Sequence, residues 1–256
     1  MTETTPSAPT GPTSPTGPTY QVNLPGQAYV AEGPHDHTGM YLMHFALRRD
    51  LANLTSAAAN TPLGAGDSWQ ALHARWRLFA EILHHHHTVE DDLYWPVLAE
   101  AVTERGTTAD HALIAEMADE HAEIDPALAA VTEAFESVLA HPCGAHRNAL
   151  DVRLATLREA LDVHLSHEER ETLPLVQRVM TDEQYARVEQ GVERAYPLRM
   201  VPTLIPWVCH RLPPDVAEHT LAAGGPLYRL LFRLTRGRFE RRERLAFRYS
   251  EVVLPA

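Results

Sequence analysis

A histidine–glutamate signature used twice constrains this chain more than any other feature. His86-x-x-x-Glu90 is followed by Pro96, six residues after the glutamate. His164-x-x-x-Glu168 is followed by Pro174 at the same offset. A single histidine precedes each: His44 lies 42 positions before His86, and His121 lies 43 before His164. A unit repeated at near-equal spacing marks an internal duplication of one structural element pair.

The periodicity around these residues is helical. Trp69, Leu72, Trp76, Phe79, Leu83, His86, Glu90, Leu93 and Val97 alternate steps of three and four, the pattern of an inward helix seam. Ile114, Met117, His121, Ile124, Leu128, Val131, Phe135 and Val138 repeat it. So do Leu150, Leu154, Leu157, Leu161, His164, Glu168 and Leu175, and, more briefly, Met40, His44, Leu47, Leu51 and Leu54. Helices are therefore predicted over about 38–58, 67–105, 109–140 and 146–180, with Asp67 and Gln70 as a start signal for the second.

His86 and Glu90 share a helix face, as do His164 and Glu168, because i and i+4 are neighbours. Their seam position points that face inward. A lone ionised glutamate in an apolar core costs several kcal/mol, and a metal ion removes that cost. Imidazole and carboxylate together suit iron, manganese or zinc. Carboxylates from opposite helices can bridge two ions. The candidate ligands are His44, His86, Glu90, His121, His164 and Glu168. His84, His85 and His87 fall off the seam and read as surface residues, as do His35, His37 and His167. A ferritin-like site needs Glu-x-x-His twice, and Glu81-x-x-His84 has no duplicate near a seam.

Turn residues at Pro62-Leu63-Gly64, Arg105-Gly106 and Pro142-Cys143-Gly144 leave short connections, which make successive helices antiparallel neighbours. The expected fold is all-α: an up-down-up-down four-helix bundle over residues 35–180. A disordered Pro/Thr-rich tail over 1–34 precedes it, and a helical C-terminal extension over 181–256 follows. Thr181 and Gln184 form a capping-box pattern that opens the extension. Leu227, Leu230, Leu231, Phe232 and Leu234, set among many arginines, are expected to pack on the bundle, with membrane-surface binding the alternative.

The formal net charge of -12 argues against nucleic acid as a partner, since phosphate binding needs a basic surface. Cys143 and Cys209 are far apart, so neither a disulfide framework nor a cysteine zinc site is expected. The N-terminal residues lack a signal-peptide pattern and no apolar run spans a bilayer, which predicts a cytoplasmic protein and makes a membrane partner the weaker choice.

The order His, HxxxE, His, HxxxE with proline after each glutamate resembles the hemerythrin HHE cation-binding family. The stretches His44-Phe-Ala-Leu-Arg-Arg-Asp50 and His84-His-His-His-Thr-Val-Glu-Asp-Asp-Leu-Tyr-Trp-Pro96 are similar to its bacterial branch. The resemblance covers about residues 38–180. It implies two non-haem irons, with or without an oxo bridge, that bind or react with dioxygen, peroxide or nitric oxide. It makes His44 and His121 the ligands from the first and third helices. His86 with Glu90, and His164 with Glu168, become the paired ligands, both glutamates bridging. Two departures from the invertebrate oxygen carriers stand out: Met117 occupies the place of a second third-helix histidine, and HxxxE replaces HxxxxD. With fewer histidines, one iron is less saturated, which favours sensing or redox chemistry over oxygen storage. Tyr41, Tyr94 and Asp125 are further candidates near the ligands. The alternative is a metal-storage or structural two-metal bundle that serves as a partner- or membrane-surface-binding module.

Overall fold

A computed structural model describes Thr19 and residues 21–252. Among these the only regular secondary structure is helix, with no strand. Helix α1 spans Thr38–Asn60 and α2 Gly66–Val89. Helix α3 covers Trp95–Arg105, α4 Thr108–Ala140, α5 Gly144–His167 and α6 Leu173–Val179. One π-helical turn, Glu90–Tyr94, joins α2 to α3, and a second, Glu168–Thr172, joins α5 to α6. The four long helical runs thus match the segments that periodicity marked out. Helix α1 packs on α2 and α5, and α4 packs on α2 and α5, so a bundle encloses one core. Trp69, Trp76, Phe79, Leu47, Leu51, Leu54, Phe135 and Leu157 are fully buried in it.

The two π-turns correct the seam. Each carries an i→i+5 bond, from Trp95 N–H to the Glu90 carbonyl and from Leu173 N–H to the Glu168 carbonyl. Pro96 and Pro174 then sit in the first turn of the helix that resumes, where a missing N–H costs little. A π-turn holds one extra residue, which rotates everything beyond it by about 100°. The buried line after Glu90 therefore runs through Tyr94, Leu98, Ala101 and Val102. The Leu93 and Val97 that a strict seam predicts are only partly buried. Asp67 and Gln70 also do not cap α2, which starts from Ala65 without a side-chain cap.

The stretch expected to be a disordered tail falls in two. Residues 1–18 and 20 lie outside the described residues. Residues 21–34 run over the bundle with Val22, Leu24 and Ala31 buried, because apolar side chains return once the Pro/Thr-rich composition ends. Residues 21–34 are therefore part of the packed structure.

Beyond the bundle come α7 (Asp182–Ala195), α8 (Val201–Val208), α9 (Pro214–Ala223) and α10 (Gly225–Ala246). The Thr181/Gln184 capping box opens α7. Helices α8 and α10 pack on α1 and α2 respectively, and Trp207 and Phe239 join the bundle core. A buried ionic knot holds them there. Asp50 on α1 pairs with Arg49 at 3.0 Å and Arg75 at 2.9 Å, and accepts from Trp207 Nε1 at 2.7 Å. Arg49 donates to the Trp207 and His210 carbonyls, and Arg75 reaches Glu243 of α10 at 3.1 Å. Burial pushes the Asp50 carboxyl up, but Arg75 and Arg49 outweigh it and hold the group below the usual range. Removing one partner of such a knot leaves buried charge unpaired. Asp50→Ala should therefore cost about 3–5 kcal/mol in denaturant unfolding. It should also expose α8–α10 to limited proteolysis while metal content stays unchanged.

Candidate metal centre

Each π-turn begins at a glutamate of the repeated signature. The widened turn lets two consecutive carboxylates, Glu168 and Glu169, both lie buried, and it puts Glu90 inside with Asp91 at the edge of the core. All six side chains singled out from the sequence converge in the middle of the bundle. Together with His87 they form two buried groups in which one donor atom from each residue lies within 4.8 Å of the others. His44, His86, Glu90 and Glu168 make the first. His87, Glu90, His121 and His164 make the second.

Glu90 belongs to both. Its Oε1 lies 3.1 Å from His86 Nε2, and its Oε2 lies 3.5 Å from His121 Nε2. Glu168 joins the first group alone, with Oε2 3.1 Å from His44 Nε2. The Nε2 atoms of His121 and His164 face each other at 3.2 Å.

His87 corrects the expectation that it is a surface residue. It is buried and stacks on His121, with ring centroids 4.0 Å apart and planes within 7°. The signal for it was present: His87 and Glu90 are three apart, so they share a face as readily as His86 and Glu90 do. The fourth helix has Leu165 at the matching position, so the duplication is not symmetric here. His87 also supplies the second group with a histidine that Met117, fully buried nearby on the third seam, does not.

A ring of outer carboxylates fixes the imidazoles. His44 Nδ1 donates to Glu169 Oε1 at 2.8 Å, His121 Nδ1 to Asp91 Oδ1 at 2.9 Å, and His164 Nδ1 to Glu120 Oε2 at 2.8 Å. Each bond selects the tautomer that turns Nε2 toward the centre. Two of these partners cross between the two halves of the repeat: Glu169 of the second half orients His44 of the first, and Asp91 of the first orients His121 of the second, whereas Glu120 and His164 lie in the same half. Glu169 is itself held by Arg48, 2.6 Å from Oε1, and by the Ala28 N–H at 2.5 Å. His167, partly exposed, donates to Glu120 Oε1 at 2.7 Å. No sequence pattern singled out Glu169, Asp91 or Glu120; the acidic doublets Glu90-Asp91 and Glu168-Glu169 were the signal available.

The other candidates differ in their surroundings. Tyr41 accepts a hydrogen bond from the Ala31 N–H at 2.8 Å. Asp125 is more than half exposed and lies 3.8 Å from exposed His84. Tyr94 is buried with its hydroxyl unpartnered. His35 and His37 are buried rather than exposed: His35 stacks on Tyr185, and His37 Nδ1 lies 3.4 Å from the Tyr185 hydroxyl.

The protonation of these groups is uneven. Burial, reinforced by Glu168 and Asp91, lifts the Glu90 carboxyl well above its ordinary range. Burial also pushes Glu168 up, but His44, His164 and His86 outweigh it and bring that carboxyl down to about 2. Burial lowers His44 as well, yet Glu168 and Glu169 more than reverse this and raise it. His86 and His87 are pushed well down, by burial and by the neighbouring imidazoles. The lowered His86 and His87 favour the neutral imidazole that a metal ligand needs, whereas the raised His44 and Glu90 favour their protonated forms, which metal binding would have to displace.

Nε2 of His44, His86 and His87 and both oxygens of Glu90 and Glu168 are buried without a hydrogen-bond partner. Leaving so many polar atoms unsatisfied in one place is costly, and a cation satisfies them together. The donor set fits metal ions. The family model for the hemerythrin HHE cation binding domain matches residues 36–176, more than half of the chain. The chain belongs to the hemerythrin HHE cation-binding family. No curated protein and no solved structure matches it. Membership makes it a metal-binding protein, and both donor groups lie inside the matched span. If Glu169 orients His44, Glu169→Gln should weaken metal retention roughly 10–100-fold in chelator competition. Retention equal to the parent protein would sink that role.

Proposed function

We propose that this hemerythrin-family chain holds two iron ions and uses them to bind or react with dioxygen, peroxide or nitric oxide, in a sensing or redox role. The observation that carries the reading is the placement of Glu90, whose two unpartnered oxygens face different histidines. One ion would take His44, His86, Glu90 and Glu168. The other would take His87, Glu90, His121 and His164, with Glu90 shared. In this reading the four long helices run up-down-up-down, as their short connections favour.

Four side-chain ligands leave an iron ion short of octahedral saturation, so iron held here would supply open positions for a small ligand and one-electron redox change. The chain's own residues do the rest. Asp91, Glu120 and Glu169 hold the imidazoles in place. Phe79, Leu83, Met117 and Leu161 are buried apolar neighbours on the same seams, which exclude water and admit small molecules in preference to large ones. Burial and Glu168 lift the Glu90 carboxyl well above its ordinary range, and a metal ion would bind it as the carboxylate, so loading competes with its protonation. Metal affinity should therefore fall as pH falls.

Elemental analysis of protein from iron-supplemented cells tests the stoichiometry. Two irons per chain are expected, close to one in His87→Ala, and neither ion retained in Glu90→Ala. One zinc per chain with no iron would overturn the proposal, as would full loading of Glu90→Ala. The diferric protein should also change its visible spectrum with azide, and the diferrous protein should react with dioxygen or nitric oxide. Silence in both states would leave a structural metal bundle.

A further inference from the structure

The last helix presents two faces of different character. Toward the bundle, α10 buries Phe239, Glu243 and Ala246. On the other side Leu227, Leu230 and Leu234 are 67%, 52% and 71% exposed. At about 100° per residue these three fall within about 60° of one another, and Leu245, also exposed, returns to the same line. Part of the leucine cluster that was expected to pack on the bundle therefore faces outward. Phe232 instead turns inward and packs beside Leu212 and Val216.

The charge on this helix is one-sided. Gly225–Ala246 carries seven arginines and two glutamates, while the rest of the chain carries 15 arginines and 32 acidic residues. Glu243 is buried against Arg75, and Glu240 is paired with Arg236. Every charged residue of α10 that is exposed is an arginine. Arg238 and Arg241 continue the leucine line, and Arg233, Arg242 and Arg244 flank it.

We infer that the outer face of α10 docks on an anionic lipid surface. Single exposed leucines need no explanation. A line of them opposite the packed face, with arginines as the only exposed charged neighbours, is the pattern of a helix that lies in a bilayer interface. The leucines enter the acyl boundary, and the arginine stems extend over apolar surface while their guanidinium groups meet lipid phosphates. Charge complementarity selects this occupant. Two α10 helices brought face to face would set arginines against arginines, and an acidic protein would pair the arginines without covering the leucines. No helix among the described residues is long and apolar enough to cross a membrane, so the contact is peripheral.

Co-sedimentation of the full chain with vesicles tests this. Vesicles of phosphatidylcholine with phosphatidylglycerol should bind at least about tenfold more tightly than phosphatidylcholine alone, and salt should weaken the binding. Leu230→Asp with Leu234→Asp, and separately Arg238→Glu with Arg241→Glu, should each remove most of it. All four positions are exposed, so melting temperature and metal content should match the parent protein. If the aspartate pair proves less stable, Leu230→Ser with Leu234→Ser takes its place. Failure to bind anionic vesicles at low salt would overturn the inference, as would equal binding by the variants. A dimer that the leucine variants dissolve, without vesicle binding, would identify a second copy as the occupant and overturn it too.

Discussion

The cost of burying carboxylates governs this molecule. Glu90 and Glu168 sit in the middle of an apolar bundle where an isolated ionised glutamate is strongly unfavourable. Around them the chain has gathered imidazoles rather than hydrogen-bond donors committed to the carboxylates, so polar atoms of both residue types remain unpartnered. An arrangement evolved for stability alone would fill the same volume with leucine, as the seams do one turn away at Leu83 and Leu161. The frustration concentrated here is what a bound cation relieves, and it explains why family membership and donor geometry fall on the same residues.

The π-turns provide the local means. A regular α-helix offers one inward position per turn, but a turn with one more residue brings consecutive side chains to the core edge. That geometry allows Glu168 to face the centre while Glu169 reaches His44, and Glu90 to face it while Asp91 reaches His121. Because these contacts cross between the two halves of the repeat, neither half completes its own site. The orientation of each imidazole depends on the packing of the whole bundle.

The C-terminal helices belong to the same structure rather than to an appendage. Asp50 lies in the same helix as His44, and its pairs with Arg49, Arg75 and Trp207 draw α8 and α10 onto the outside of α1 and α2. With one face of α10 committed to this knot, its leucine and arginine face is left turned away from the bundle.

What the sequence by itself determined was periodic. Steps of three and four located the four long helices and pointed His44 and His121 inward, and the repeated HxxxE picked out four more of the seven side chains that converge there, because residues one turn apart must share a face. The disposition of Asp50 and its arginines left no such pattern, since ion pairs between distant segments have no sequence period. His87 escaped because a strict seam admits one residue per turn, whereas the second donor group reaches around the helix to its neighbour. Leu93 and Val97 were misplaced for a related reason: the π-turn changes the phase, and a hydrogen-bond register is not written in hydrophobicity. Only the tertiary structure decided which carboxylate holds which histidine, that Glu90 spans both groups, and which face of α10 stays outside. Those outcomes depend on distances between helices far apart in the chain, and such distances are set by packing the whole bundle at once.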